Sequence, residues 1–142
     1  DRSVSRGLGD VYKRQDIYNL VNALKRQSEL IFIREKDYIQ NPKPNGYRSF
    51  HVIIAVPVYY LDTMEYFPVE IQLRTMTMDL WASMEHRVCY KKLPEHRDEL
   101  AEAFCQYADI LGKIEEQFEA YNETGMLEEI TPAQITENPT EG

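Results

Sequence analysis

The sequence has few cysteines and no long apolar segment, and each shortage excludes a class of protein. Its 142 residues include two cysteines, Cys89 and Cys105, with no CxxC motif and no histidine-rich neighbourhood. This pattern indicates neither a disulfide framework nor a structural zinc site, and we expect the protein in a reducing cytoplasm. The longest apolar run, 52–61, is interrupted by Pro57, whereas a membrane-spanning helix needs about 20 apolar residues. The run therefore predicts a strand and not a membrane anchor.

Basic residues are scarce at one end of the chain only. Residues 95–142 contain 13 acidic and 2 basic residues, a net charge of −11, whereas residues 1–94 contain 11 acidic and 14 basic residues, a net charge of +3. The body of the chain can therefore attract an anionic small molecule, although the total of −8 gives no indication of RNA binding. The length and the apolar content of 43% predict one domain with a single core.

The two ends of the chain differ from the part between them. Residues 1–15 begin without methionine, lack a sustained helical or strand period and resemble translated library-adapter sequence, so we expect them to be non-native. Residues 122–142 are rich in Glu, Thr, Pro and Gly, which predicts a flexible acidic tail. Residues 16–121 are then expected to form the domain.

Hydrophobic periodicity predicts an α+β domain. It indicates six regular elements, in chain order helix 16–28, strand 30–33, strand 48–60, strand 66–74, helix 76–90 and helix 95–121. We expect a mixed, mostly antiparallel sheet with helices packed on it.

The last two predicted helices each carry an apolar face. The face of helix 76–90 is expected to pack on the sheet and contains Leu80, Trp81, Met84 and Val88. Helix 95–121 has apolar residues at alternating spacings of four and three from Leu100 to Tyr121, which is typical of a heptad seam. The seam is explained by packing within the chain or by a subunit interface.

Polar residues share one side of the two long predicted strands. Because side chains alternate between the faces of a strand, parity separates the apolar positions from the polar ones. The polar set, which is expected on one shared surface, contains Ser49, His51, Glu70, Gln72 and Arg74. A half-exposed antiparallel sheet with ordinary polar residues outside explains the same pattern.

The loop before strand 48–60 combines cations, aromatic rings and a glycine turn. Lysine and arginine pair with phosphates, a base can stack on tyrosine, and glycine allows close backbone approach, so this composition suits a nucleotide. A polar hairpin connection accounts for it as well. The residues concerned are Lys36, Lys43, Arg48, Tyr38, Tyr47 and the pair Asn45-Gly46.

Three segments resemble motifs of the RelA/SpoT-type alarmone synthetases. KDYIQNPKPNGYRSFH at 36–51 is similar to KDYI-x-x-PKPNGY-x-S-x-H, VEIQLRT at 69–75 to EIQ-[IL]-RT, and MDLWASMEH at 78–86 to M-x-x-W-A-x-x-EH. The order and the short length resemble the small, single-domain synthetases. The resemblance implies Mg²⁺-dependent transfer of pyrophosphate from ATP to the 3′-hydroxyl of GDP or GTP, which makes (p)ppGpp in the stringent response.

The resemblance also implies roles for individual residues. Glu70 would be the catalytic carboxylate, as a Mg²⁺ ligand, as the base for the 3′-hydroxyl, or as both, with Gln72 and Arg74 in support. Tyr47 would stack on guanine in a pocket shaped by Asn45 and Gly46. The candidates for binding the acceptor's 5′-phosphates are Lys36, Tyr38, Lys43 and His51.

Two family features are not found in the sequence. These are a basic segment that grips ATP and a D-I-x-G-x-R strand whose aspartate would be a second Mg²⁺ ligand. We therefore expect little or no synthetase activity from this chain alone. The alternative is a catalytically inactive module that binds guanine nucleotide or RNA, or that forms oligomers. Small members of the family are commonly oligomeric, so a homo-oligomer stays an open expectation.

Overall fold

The computed structural model describes residues 5–11, 13–90 and 94–124, which form one mixed sheet and three helices. The elements in chain order are β1 (Ser5–Val11), α1 (Arg14–Lys25), β2 (Ile31–Asp37), β3 (Phe50–Tyr60), β4 (Thr63–Thr75), α2 (Met76–Cys89), a 3-10 turn (Pro94–His96) and α3 (Arg97–Thr124). The strand order is β1-β4-β3-β2, with β1 parallel to β4 and the other pairs antiparallel. The predicted α+β class is confirmed. No helix in these ranges is long and apolar enough to cross a membrane.

The hairpin of β3 and β4 is the centre of the sheet. Along β3, Phe50, Val52 and Ile54 are buried in turn, as their alternation predicts. Ile17 and Val21, one turn apart on α1, complete the core on that face. The opposite face of the hairpin is therefore left for the polar side chains.

The two C-terminal helices pack on each other through a second cluster. Trp81 of α2 is buried against Phe104 and Ala108 of α3, and its indole Nε1 donates a 2.7 Å hydrogen bond to the Phe104 carbonyl oxygen. The heptad seam is used within the chain around Phe104, whereas Phe118 and Tyr121 are exposed. Whether these two form a subunit interface stays a prediction.

The prediction for the apolar face of α2 is wrong. Leu80, Met84 and Val88 are 52%, 49% and 37% exposed, so they do not pack on the sheet. The buried residues of α2 are Met78, which joins the sheet core, and Trp81, which faces α3. Because the two buried residues differ by three positions, they share one side of the helix, and that side includes only Trp81 of the predicted face.

Strand β1 lies in the segment for which no regular element was predicted. Its register on β4 runs from Ser5 opposite Val69 to Val11 opposite Thr75. The edge of β4 offers unpaired backbone donors and acceptors, and these pair with a neighbouring strand whatever its side-chain pattern. The non-native origin of residues 1–15 stays a prediction. The predicted tail lies outside the described residues from position 125 onward.

Candidate functional site

The loop between β2 and β3 is fixed at its start by Asp37. One carboxylate oxygen of Asp37 accepts hydrogen bonds from the backbone N–H groups of Ile39 and Gln40, at 2.9 and 3.0 Å. The other oxygen accepts a 2.7 Å hydrogen bond from the Tyr18 hydroxyl of α1. Burial, followed by this hydrogen bond, raises the pKa of Tyr18 to about 12. Hydrogen bonds within the loop and to α1 therefore hold the first residues of the loop in place.

A tight turn then presents Tyr47. The N–H of Gly46 donates to the Lys43 carbonyl at 2.8 Å, and the N–H of Lys43 donates to the Tyr47 carbonyl at 3.1 Å. The Asn45 side-chain oxygen accepts a hydrogen bond from the N–H of Tyr47 at 3.1 Å. Gly46 has φ +97°, a left-handed conformation that favours glycine. Asn45 and Gly46 thus shape the turn that carries the aromatic ring.

The ring of Tyr47 is surrounded by other rings and by cations. The centroids of Tyr38, His51 and Trp81 lie 5.9, 5.8 and 6.1 Å away, each in an edge-to-face arrangement. The ammonium of Lys43 lies 5.1 Å from the Tyr47 centroid and 5.0 Å from that of Tyr38. An aromatic surface next to a cation is a suitable place for a base with attached phosphates.

Five side chains form a closed ring of polar contacts on the outer face of β3 and β4. Arg74 Nη2 donates to the Tyr47 hydroxyl at 2.9 Å and to Gln72 Oε1 at 2.8 Å, and Gln72 Nε2 donates to Glu70 Oε1 at 3.0 Å. The Tyr47 hydroxyl lies 2.8 Å from His51 Nε2, and His51 Nδ1 lies 3.7 Å from Glu70 Oε1. The ring of Tyr47, predicted to stack on the base, and the carboxylate of Glu70, predicted to be catalytic, therefore belong to one network.

The network favours one tautomer of His51. The contacts are satisfied when the Tyr47 hydroxyl, which accepts from Arg74, donates to His51 Nε2 and the imidazole proton lies on Nδ1 facing the Glu70 carboxylate. The pKa of His51 is lowered, first by burial and then by Arg74, Lys43 and Lys36, while Glu70 opposes the shift. The neutral form of this histidine is favoured near neutral pH.

The structure brings most of the predicted site residues together, and the two exceptions are Ser49 and Arg48. Lys36 lies directly opposite His51 in the register of β2 on β3, at the edge of the same cluster. Ser49 was expected on the shared polar surface, and this is wrong: it is fully buried, and its hydroxyl donates to the Leu73 carbonyl at 3.2 Å. Strand β3 begins only at the next residue, so the hydroxyl supplies a donor where the ladder ends. Arg48 was expected among the loop cations and instead contacts α3.

Glu70 is the metal-ligating candidate among the predicted residues. In the described part of the chain, no group of three or more His, Cys, Asp or Glu side chains is placed to hold a metal ion. Mg²⁺ commonly takes one or two protein carboxylates and completes its shell with water and substrate phosphates. The single carboxylate of Glu70 therefore fits a Mg²⁺ ion that is bound to the nucleotide phosphates and takes one ligand from the protein.

Sequence reasoning missed the contribution of Asp79. Its carboxylate accepts a 3.3 Å hydrogen bond from Arg74 Nη1 and lies in the first turn of α2. Asp79 occupies a position that the third motif leaves unspecified, two residues before Trp81, so the motif gave no signal for it. Trp81 of the same motif is buried, against α3 and not on the sheet.

Comparison with known proteins gives consistent matches. The family model described as "Region found in RelA / SpoT proteins" matches residues 10–95. The GTP pyrophosphokinase YwaC of Bacillus subtilis strain 168 is 46% identical over 102 residues, which cover 72% of this chain and 49% of that protein. The chain spans about half the length of YwaC and of a second Bacillus subtilis relative, the GTP pyrophosphokinase YjbM, which is 33% identical over 103 residues.

Two solved structures share the fold over most of the chain. Small alarmone synthetase 2 from Bacillus subtilis has a TM-score of 0.71 and 40% identity, over 83% of this chain and 64% of that one. Small alarmone synthetase 1 from the same species, bound to its product pppGpp, has a TM-score of 0.69 and 26% identity, over 85% of this chain and 61% of that one.

Proposed function

Since this chain belongs to the family defined by the region found in RelA / SpoT proteins, we propose that it carries the acceptor-nucleotide site of a GTP pyrophosphokinase. In this proposal the whole protein transfers pyrophosphate from ATP to the 3′-hydroxyl of GDP or GTP and makes (p)ppGpp. The observation that carries the proposal is the closed polar ring, because it joins the aromatic platform of Tyr47 to the carboxylate of Glu70.

The guanine base stacks on Tyr47. The ammonium of Lys43 lies over this ring at 5.1 Å, so a base that stacks on the same face displaces it. Lys43 is an exposed, flexible side chain, and its charge then pairs with the 5′-phosphates of the acceptor. Lys36 lies at the same end of the cluster, opposite His51, and adds a second positive charge for these phosphates. Tyr38 and His51 line this end of the cluster, each in an edge-to-face arrangement with Tyr47.

Glu70 accepts the proton of the 3′-hydroxyl. The hydroxyl oxygen forms a bond to the β-phosphorus of ATP, the bond from that phosphorus to the α–β bridging oxygen breaks, and AMP leaves with the electron pair. Gln72 donates to Glu70 Oε1, and the Nδ1–H of neutral His51 faces the same oxygen, so both orient the carboxylate. Such transfers depend mainly on positioning and on charge neutralisation. A bound Mg²⁺ with Glu70 as one ligand would supply neutralisation of the phosphate charge.

Calorimetric titration of the 142-residue chain with GDP and Mg²⁺ tests the acceptor site. We expect binding by the unmodified chain, and a loss of about 1–3 kcal/mol in Tyr47→Ala if the ring stacks on the base. Tyr59→Ala is the matched control, because Tyr59 is 72% exposed near the far end of the hairpin. Absence of GDP binding, or equal affinity in the unmodified chain and Tyr47→Ala, would contradict the proposal.

The catalytic role of Glu70 needs a separate measurement. Addition of ATP, with thin-layer detection of ppGpp, measures turnover of the chain and of a length-restored parent that carries the ATP-gripping and D-I-x-G-x-R segments. In that parent, Glu70→Gln should abolish the product while GDP affinity stays close to that of the parent. Turnover retained by Glu70→Gln would remove the carboxylate from its catalytic role.

A further inference from the structure

Arg48 follows Tyr47 directly but points away from the polar ring. Its Nη2 donates a 2.9 Å hydrogen bond to Asp109 Oδ1, and its Nη1 donates to the Ala108 carbonyl oxygen at 3.2 Å. The side chains of Arg48 and Asp109 are 18% and 28% exposed, so the ion pair is largely shielded from water. This contact joins the loop between β2 and β3, residues 38–49, which we call the acceptor loop, to α3 across 61 positions of sequence.

The residue before Tyr47 lies against the same stretch of α3. A Cβ atom added to Gly46 would lie 2.9 Å from the Cα of Cys105, 3.0 Å from the Cβ of Ala108 and 3.2 Å from the carbonyl oxygen of Phe104. The loop backbone is therefore in direct contact with the helix backbone. Tyr47 stands between two residues that are both seated on α3, and this limits the rotation of its backbone.

We infer that Asp109 is a positioning residue for the acceptor nucleotide: by holding Arg48 on α3, it fixes the orientation of the Tyr47 ring. The inference rests on the proposed function, since it concerns the same base-stacking platform. Asp109 acts through Arg48 and does not itself contact the nucleotide.

The carboxylate is the dominant anchor of Arg48. The buried Nε of Arg48 has no hydrogen-bond partner within the described residues, so the guanidinium depends on its two Nη contacts. One of these is to a neutral carbonyl and the other to a carboxylate, and the charged acceptor makes the stronger bond. Without Asp109, a shielded positive charge is left poorly compensated, and Arg48 leaves α3 for the phosphates or for water.

The test measures GDP affinity by calorimetry, with Mg²⁺, on the 142-residue chain. We expect Asp109→Ala to weaken binding about fivefold to tenfold, equivalent to about 1–1.4 kcal/mol, and Asp109→Asn to weaken it less because an acceptor oxygen remains. Glu116→Ala is the matched control: it removes the same charge from an exposed position of α3 and should leave the affinity unchanged. Asp109→Glu should recover part of the loss.

A double-mutant cycle separates positioning from stability. If Asp109 acts through the tyrosine ring, Asp109→Ala should cause no further loss of GDP affinity in a Tyr47→Ala background. Equal affinity of Asp109→Ala, Asp109→Asn and the unmodified chain would overturn the inference alone, as would a full additional loss in the Tyr47→Ala background. Absence of GDP binding by the unmodified chain would overturn the proposed function, and the inference with it.

Discussion

Arg74 is the residue whose replacement tests the polar ring most directly. Its side chain is 13% exposed and donates three hydrogen bonds, to the Tyr47 hydroxyl at 2.9 Å, to Gln72 Oε1 at 2.8 Å and to Asp79 Oδ1 at 3.3 Å. The planar guanidinium reaches these acceptors from two nitrogens. Arg74→Lys keeps the charge, but a single ammonium nitrogen replaces the two guanidinium nitrogens and can reach only one or two of the three acceptors.

The expected cost follows from the contacts that are lost. A hydrogen bond from a charged donor contributes about 1.5–3 kcal/mol, whereas a partly exposed ion pair contributes about 0–1 kcal/mol. If the ammonium keeps one short bond and loses the other, together with the longer bond to Asp79, the free energy of unfolding should fall by about 2–3 kcal/mol. GDP affinity should fall as well, because the ammonium can hold the Tyr47 hydroxyl or Gln72 but not both, and the polar ring opens in either case.

Urea denaturation measures the change in the free energy of unfolding. The control is Arg34→Lys, an exposed arginine on β2, which should stay within about 0.5 kcal/mol of the unmodified chain. An Arg74→Lys variant as stable as the control, with the same dependence on urea, would show that the three contacts are not formed together in solution. That result would contradict the closed ring of polar contacts.

Three further changes have defined expectations. Ser49→Ala leaves the Leu73 carbonyl without its buried donor and should cost about 1–2 kcal/mol in urea denaturation; an unchanged midpoint would contradict this. Tyr18→Phe removes the donor to Asp37 and should cost about 1.5 kcal/mol by the same assay, and a cost near zero would mean that water replaces the bond. Burial lowers the pKa of His51, so the unfolded chain binds that proton first as pH falls through 6.5, and stability should decline below this pH. His51→Gln should make this decline in stability shallower. A pH profile identical to that of the unmodified chain would show that other groups cause the decline.

The strands of the site could be predicted because their alternation is a local property. On β3 the alternation of the buried Phe50, Val52 and Ile54 with His51 separated the core from the polar ring. The second half of β4 alternates in the same way, although parity misplaced Ser49. His51 and Gln72 lie opposite each other in the register, and Glu70 precedes Gln72 by two positions on the same face of β4. The order of motifs then identified which polar face carries the chemistry.

Other features depended on partners that the local pattern does not specify. Strand β1 pairs through its backbone, and backbone pairing leaves no signature in side-chain spacing. Leu80 and Met84 mark an apolar face of α2, but the pattern gives no direction to it, and Trp81 turns toward α3 instead. Arg48 resembled a phosphate-binding cation because Asp109, its partner, lies 61 positions later in the chain.

The chain contains a single tryptophan, and its position beside the site has a practical consequence. Trp81 lies 6.1 Å from Tyr47 and is held by its bond to the Phe104 carbonyl, so its indole is a fixed fluorophore at the junction of α2, α3 and the acceptor loop. Its emission should respond to any change at the tyrosine ring and to any shift of α3. Rapid mixing of the protein with nucleotide, followed by tryptophan emission, can therefore separate nucleotide binding from a later rearrangement of the loop, without an introduced label.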